Sequence, residues 1–176
     1  MDKRIIYILV FIILLASCGQ GDGNENSQQD ISKNVKPAEN NETSVPGIEK
    51  LEFTDTIKLK AGEDMRFDND LFRVKAGKKI TLVLKNTGMK SGAMVHNVVV
   101  LNSGTDIPDF AEEARKASKE EYIPASFSSS IIAHTKSISG QQSDKIEFTI
   151  QAAGVYDFIC SYPGHWGTMQ GKIVAE

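Results

Sequence analysis

The sequence KITLVLKN occupies residues 79–86, and its apolar side chains at positions 80, 82 and 84 alternate with the side chains at 81, 83 and 85. Successive side chains of a β-strand point to opposite faces of a sheet, so this period of two indicates a strand with one buried face. Gly77 and Gly88 flank the segment, as turn residues do at strand ends. The segment therefore predicts a β-strand of a folded domain.

Short segments of similar character lie on both sides of it. They are residues 56–60, 65–67, 71–75, 96–102, 145–151, 155–160 and 171–175. About eight short strands separated by turn residues predict an all-β fold, specifically an antiparallel β-sandwich with Greek-key connections.

One segment departs from the strand pattern. Asp106 followed by Pro108 is typical of a helix start, and Pro124 is expected to end the helix. The apolar side chains that share one helical face between them are Phe110, Ala114 and Ala117. We therefore expect one short helical insertion.

The first residues have the pattern of a secretory signal, because Lys3 and Arg4 precede an uninterrupted apolar run at residues 5–15. A helix of this length rises about 16 Å, roughly half of a hydrocarbon core of about 30 Å. A permanent membrane span is therefore the weaker interpretation.

The run ends in Leu-Ala-Ser-Cys at residues 15–18, which resembles the lipobox of bacterial lipoproteins. The resemblance implies that residues 1–17 are a lipoprotein signal peptide, and that Cys18 is acylated and anchors an exported protein to a membrane, on its periplasmic or cell-surface side. An ordinary signal peptide with a chance cysteine is the alternative. Residues 18–50 would then form a flexible tether or a simple spacer, because they contain few apolar side chains. Residues 51–176 are long enough for one domain with a buried core.

The formal net charge of -3 argues against a nucleic-acid partner, since there is no excess of basic residues to neutralise phosphates. The cysteine count is more informative. If Cys18 is acylated, Cys160 is a lone thiol in an exported protein, and metal ligation is one reason for such a thiol to persist.

Cys160, His165 and Met169 lie on one short segment between two predicted strands, so a thiolate, an imidazole and a thioether can face a single ion. A second imidazole would come from His96, at the start of another predicted strand. Thiolate, two imidazoles and a weak thioether are the ligands of mononuclear electron-transfer copper sites. Zinc is disfavoured because structural zinc rarely accepts a thioether. A catalytic Cys-His pair is disfavoured because no third orienting group is evident, so we do not expect an enzyme.

The order of these four residues, the pair His96-Asn97 and the string IAHTK at residues 132–136 resemble the azurins, which are blue copper proteins of cupredoxin fold. The match spans most of residues 51–176, and we prefer azurin to plastocyanin or auracyanin on loop spacing. The resemblance implies one type 1 copper, with His96, Cys160 and His165 in a trigonal plane and Met169 as the weak axial ligand. It also implies that His134 is not a ligand.

The resemblance assigns roles to neighbouring residues as well. Asn97 would brace the loop and, with the backbone N–H of Tyr162, hydrogen-bond the Cys160 sulfur. The carbonyl of Val95 would be a further weak axial contact, although azurins usually have glycine there. An apolar patch around the edge of His165 would dock redox partners, and its residues are Met94, Pro163, Gly164 and Trp166. The alternative is that Trp166 and Tyr162 are packing residues of the loop. Azurins also have a disulfide for which this chain has no cysteines.

The function expected from these features is reversible Cu(II)/Cu(I) electron transfer between a donor and an acceptor protein at a membrane surface. A copper-binding lipoprotein that buffers or delivers the metal could use the same ligands. An interaction module with a vestigial copper site is a third possibility.

Overall fold

The computed structural model describes residues 45–176. The predicted signal peptide, the predicted acylation site Cys18 and most of the predicted tether lie outside these residues. At the start of the described part, a 3-10 helix spans Ile48–Lys50, and Ile48 is buried against the domain just before the predicted domain start at residue 51. In the part of the chain that is described, no helix has the length and apolar character needed to cross a membrane.

The all-β prediction is confirmed. The strands are β1 (Thr56–Ala61), β2 (Leu71–Val74), β3 (Lys79–Asn86), β4 (Val99–Leu101), β5 (Ile131–His134), β6 (Ser143–Thr149), β7 (Gly154–Ile159) and β8 (Gln170–Ala175). They form a three-stranded sheet in the order β1-β3-β6 and a five-stranded sheet in the order β2-β8-β7-β4-β5. The alternation in β3 is real, since Ile80, Leu82 and Leu84 are at most 1% exposed.

The β-sandwich is confirmed, but it is not antiparallel throughout as expected, because each sheet contains one parallel pair. β1 runs parallel to β3, and β2 runs parallel to β8. The chain leaves the first sheet after β1, adds β2 to the other sheet and returns to β3, so the two neighbours β1 and β3 point the same way. Such crossovers depend on contacts between sheets, which the period of a single strand does not reveal.

Two strand assignments also differ from the structure. Residues 65–67 do not form a strand, because Met65 has a φ of 51° and only Phe67 makes an isolated bridge, to Ala61. β5 was not predicted. Its first three side chains are all half-buried, so it lacks the alternation that reveals β3.

The helical insertion is confirmed, although it ends earlier than Pro124. Helix α1 spans Ile107–Lys116, and the Asp106 side chain caps it by accepting a hydrogen bond from the Asp109 N–H (3.0 Å). A 3-10 turn at Ser118–Glu120 follows, and then Glu121 and Tyr122 both adopt positive φ. A further 3-10 stretch at Ala125–Ser130 then leads into β5.

The core has two parts. The main cluster fills the space between the sheets and includes Cys160 and Met169. A smaller cluster lies beneath α1, where Phe110 and Ala114 pack with residues of β4 and with Ile159. Cys160, the residue after β7, therefore sits at the end of a strand that is anchored from both sides.

Candidate metal centre

Three buried side chains converge at one end of the sandwich. The ligand atoms of His96, Cys160 and His165 all lie within 4.8 Å of one another. Cys160 directly follows β7, and His165 lies on the loop that joins β7 to β8. His96 precedes β4 and is fixed by an antiparallel bridge to Ile138, with backbone hydrogen bonds of 3.0 and 2.8 Å. The three predicted ligands are thus positioned to bind one metal ion.

The loop between β7 and β8 is closed by its own backbone. The Cys160 N–H donates to the Met169 carbonyl (2.9 Å), and the Met169 N–H donates to the His165 carbonyl (2.9 Å). Gly164 has a φ of 84°, a conformation that glycine adopts without steric cost, and its turn brings the His165 N–H to the Tyr162 carbonyl (3.1 Å). These bonds hold the ends of the loop together and turn His165 inward.

His96 has one ring nitrogen occupied and one available. Its Nε2 lies 3.0 Å from the Gly62 carbonyl, which can only accept, so Nε2 carries the proton. Its Nδ1 is buried and has no hydrogen-bond partner among residues 45–176. A buried nitrogen without a partner is costly, and a metal ion would satisfy its lone pair. This is the clearest sign that the site fits a metal.

Cys160 and His165 are neighbours within the site, with 3.7 Å between Sγ and Nδ1. Burial raises the pKa of the Cys160 thiol to about 11, and backbone hydrogen bonding from Asn97 and Tyr162 opposes that rise. The metal-free site therefore holds a protonated thiol at neutral pH. A cation must displace this proton to gain a thiolate ligand.

Both imidazoles favour the neutral form. Burial lowers the pKa of His96, while the Gly62 carbonyl and the carboxylates of Glu63 and Asp64 act in the opposite direction. Burial, and secondly the proximity of His96, lowers the pKa of His165. The two rings are 5.1 Å apart between centroids, so two imidazolium charges would repel each other. The site accordingly offers uncharged nitrogen donors at neutral pH.

Asn97 links the two pieces of backbone that carry the ligands. Its Nδ2 donates to Ser161 Oγ (2.8 Å), and its Oδ1 accepts from the Ser161 N–H (2.8 Å). Asn97 follows His96 and Ser161 follows Cys160, and both are buried. This pair fixes the spacing between the histidine before β4 and the cysteine after β7.

The remaining predicted residues lie around this group. The Met169 side chain is fully buried in the same cluster as Cys160. Val95, Met94 and Pro163 are half-buried and Gly164 is exposed. His165 itself is 5% exposed, so little of its ring edge reaches solvent. His134 is exposed and stands apart from the three converging ligands.

Trp166 and Tyr162 have packing contacts. Trp166 is half-buried and packs against the cluster beneath α1. The Tyr162 ring lies between two others, 4.9 Å from the ring of His165 and 4.8 Å from the ring of Tyr122. Sequence reasoning missed Tyr122 and the Gly62 carbonyl, and no local pattern marks either, because Gly62 lies 34 residues before the histidine it contacts.

Comparison with known proteins gives consistent matches. Residues 54–176 match the family described as "Copper binding proteins, plastocyanin/azurin family". Auracyanin-A of Chloroflexus aurantiacus is 35% identical over 65% of this chain and 70% of its own length. The azurin of Alcaligenes faecalis is 31% identical over 66% of this chain and 94% of its own.

A solved structure shares the fold. The reduced auracyanin of Roseiflexus castenholzii superposes with a TM-score of 0.65 at 34% identity, covering 71% of this chain and 99% of that one. Auracyanin and azurin relatives match this chain at similar identity, and the resemblance to azurin is confirmed. The resemblance to copper-binding cupredoxins is confirmed.

Proposed function

The chain belongs to the plastocyanin/azurin family of copper-binding proteins, and we propose from this premise that it is a type 1 blue copper protein that carries single electrons. The observation that carries the proposal is the convergence of the His96, Cys160 and His165 ligand atoms, with the buried Nδ1 of His96 lacking any partner in the described domain. Sulfur and imidazole together suit copper in both of its common oxidation states.

Met169 would complete the ligand set as a weak thioether donor. Its side chain is fully buried in the cluster that contains Cys160, and its backbone closes the ligand loop through the Cys160 N–H. A thioether is a poor ligand for zinc and an accepted one for copper. The carbonyl of Val95 remains a candidate for a second axial contact.

Bound copper would supply the Cu(II)/Cu(I) couple, and the chain would hold its ligands still while the charge changes. His96 is fixed by the Gly62 carbonyl and by its bridge to Ile138. The Asn97 side chain fixes Ser161, next to Cys160. Ligands that are restrained in this way move little between oxidation states, and that favours rapid electron transfer.

We propose that electrons enter and leave beside His165. In this proposal the docking surface consists of Met94, Pro163, Gly164 and Trp166. A small apolar contact area suits brief encounters with a donor and an acceptor protein. Trp166 would mainly stabilise the loop, since it packs against the cluster beneath α1.

We further propose that the protein is exported and anchored by an acylated Cys18. The basis is the sequence alone, a charged and then apolar leader that ends in Leu-Ala-Ser-Cys at residues 15–18. Expression in a bacterial host that processes lipoproteins should yield a membrane-associated protein with an acylated N-terminal cysteine, observable by mass spectrometry. Cys18→Ser should lack the acyl groups in the same mass spectrum, and a parent protein without acylation at Cys18 would contradict the anchor.

Electron transfer and copper delivery are separated by a kinetic experiment. The copper-loaded protein is cycled at an electrode, and in parallel it is mixed with a copper-free acceptor protein while copper transfer is followed. Reversible one-electron cycling with slow copper loss supports the carrier. Rapid metal transfer without reversible cycling supports delivery, and failure to bind copper would support a vestigial site.

A further inference from the structure

The turn after helix α1 has a strained backbone and contacts the metal-binding loop through the rings of Tyr122 and Tyr162. Glu121 and Tyr122 have φ values of 54° and 65°, a left-handed conformation that side chains with a β-carbon rarely adopt. Two consecutive residues of this kind persist only where surrounding contacts hold them, and such strain concentrates at functional sites. The contacts of Glu121 and Tyr122 therefore indicate a functional role for this turn.

Glu121 forms hydrogen bonds with two neighbouring segments, the one that contains His96 and the one that pairs with it. Its carbonyl accepts from Asn97 Nδ2 (3.3 Å) and from Ser137 Oγ (3.2 Å). Its side-chain Oε2 accepts from the Ser137 N–H (2.8 Å). Asn97 follows His96, and Ser137 precedes Ile138, the bridge partner of His96. Three hydrogen bonds thus fasten the insertion to the strand side of the metal centre.

Tyr122 reaches the loop side. Its N–H is held by the Ala117 carbonyl (2.8 Å), and its ring meets the Tyr162 ring edge-on, with an interplanar angle of 67° and 4.8 Å between centroids. Tyr162 in turn packs on the His165 ring, with 4.9 Å between the ring centroids, and hydrogen bonding from its backbone opposes the rise in the pKa of Cys160. Tyr122 therefore packs against a residue that contacts the ligand His165 and lies two positions after the ligand Cys160.

We propose that Glu121 and Tyr122 are positioning residues, through which the helical insertion clamps the loop that carries Cys160 and His165. This deepens the proposed function and rests on it, since the clamp acts on the copper ligands. The clamp keeps the Tyr162 N–H directed at the sulfur and limits movement of the His165 ring. In this proposal the strained backbone of the turn is what places the Tyr122 ring against the loop.

The clamp can be tested in the copper-free protein by amide hydrogen exchange. Tyr122→Gly suits the left-handed backbone and removes only the ring, whereas Tyr122→Phe keeps the ring. Loss of an aromatic pair should speed exchange at Ser161 and His165 about tenfold in Tyr122→Gly, with Tyr122→Phe close to the parent protein. Core amides of β3 should be unaffected in both. Equal exchange rates at Ser161 and His165 in the parent protein and Tyr122→Gly would overturn the proposal.

A second variant guards against failure of Tyr122→Gly to fold. Ser137→Ala removes one donor to the Glu121 carbonyl and leaves both tyrosines in place, so exchange at Ser161 should still rise, by about threefold for a partly exposed hydrogen bond. No rise would count against the clamp. This result is independent of copper, so it is distinguishable from failure of the electron-transfer proposal, which the colour and redox cycling of the parent protein decide.

The copper-loaded variants supply a readout that a purely structural role would not move. If the Tyr162 N–H is less firmly directed at the sulfur, the more negative sulfur of the reduced state loses stabilisation. The reduction potential of Tyr122→Gly should therefore fall below that of the parent protein, and Tyr122→Phe should restore it. An unchanged potential in a folded, copper-loaded Tyr122→Gly protein would contradict the clamp.

Discussion

The Asn97 side chain forms two hydrogen bonds with Ser161, each 2.8 Å long, one to the hydroxyl and one from the backbone N–H. Both residues are buried, and each is the immediate successor of a proposed copper ligand. The spacing between His96 and Cys160 is therefore fixed by protein contacts that do not involve the metal.

Replacement of Asn97 by leucine should destabilise the copper-free protein. It leaves the buried Ser161 N–H and hydroxyl without partners, at an expected cost of about 2–4 kcal/mol in the free energy of unfolding. Urea unfolding of the copper-free protein measures it. Asn102→Leu is the matched control, since the Asn102 amide makes one exposed hydrogen bond to the Ser129 carbonyl (2.8 Å). Equal stability of the two variants would show that the Asn97 link does not hold the site together.

Met169→Leu should retain copper and colour but raise the reduction potential. The exchange nearly conserves volume and should cost less than about 1.5 kcal/mol of stability. The loss of one donor atom costs the more highly charged Cu(II) more than it costs Cu(I), and so shifts the balance towards the reduced form. Voltammetry of the loaded protein measures the shift. Met89→Leu, at a side chain that is 64% exposed, is the control and should leave the potential unchanged. Equal potentials in both variants would remove Met169 from the ligand set.

Copper binding should release one proton near neutral pH. The pKa of the Cys160 thiol is raised to about 11 by burial, so the thiol is protonated until the metal displaces its proton. The pKa values of His96 and His165 are lowered from 6.5, so neither ring holds a proton to release at higher pH. The apparent copper affinity should rise about tenfold per pH unit between roughly pH 7 and 9. An affinity independent of pH would mean that the thiol does not become a ligand.

The same raised pKa has a consequence for stability in alkali. An unfolded cysteine ionises around 9.0, whereas the folded Cys160 does so at about 11. The neutral thiol therefore contributes its full stabilisation of the folded protein below pH 9. This contribution to the free energy of unfolding, up to about 2–3 kcal/mol, is lost as the pH rises towards 11. Other groups titrate in this range, so the measurement is the difference from Cys160→Ser, whose hydroxyl does not ionise. Parallel pH profiles for the two copper-free proteins would contradict the buried thiol.

Much of the site could be predicted from sequence because its information is local. Cys160, His165 and Met169 lie within one loop, and the period of two in β3 gives its buried face directly. His96 required the additional inference that a second strand returns to this loop. Helix α1 begins as predicted, because the Asp106 cap and Pro108 are local features of a helix start.

The parts that escaped prediction depend on contacts between distant segments. The parallel pairings arise because the chain crosses between sheets, which no single strand records. β5 is half-buried along its first residues and so shows no alternation. Gly62 contacts His96 through its backbone carbonyl. Because every residue has a carbonyl, the residue type at position 62 does not predict this contact. Tyr122 approaches Tyr162 from a turn in which Glu121 and Tyr122 itself both have a left-handed backbone, which no local sequence pattern announces.

The most direct test of the proposed copper centre is the visible absorption spectrum of the protein with one equivalent of Cu(II). The parent protein and a His134→Gln control should both turn intensely blue and bleach on reduction, because a thiolate bonded to copper(II) absorbs strongly. Cys160→Ser should stay nearly colourless. A colourless parent protein, or a blue band that persists in Cys160→Ser, would contradict a copper site built on Cys160.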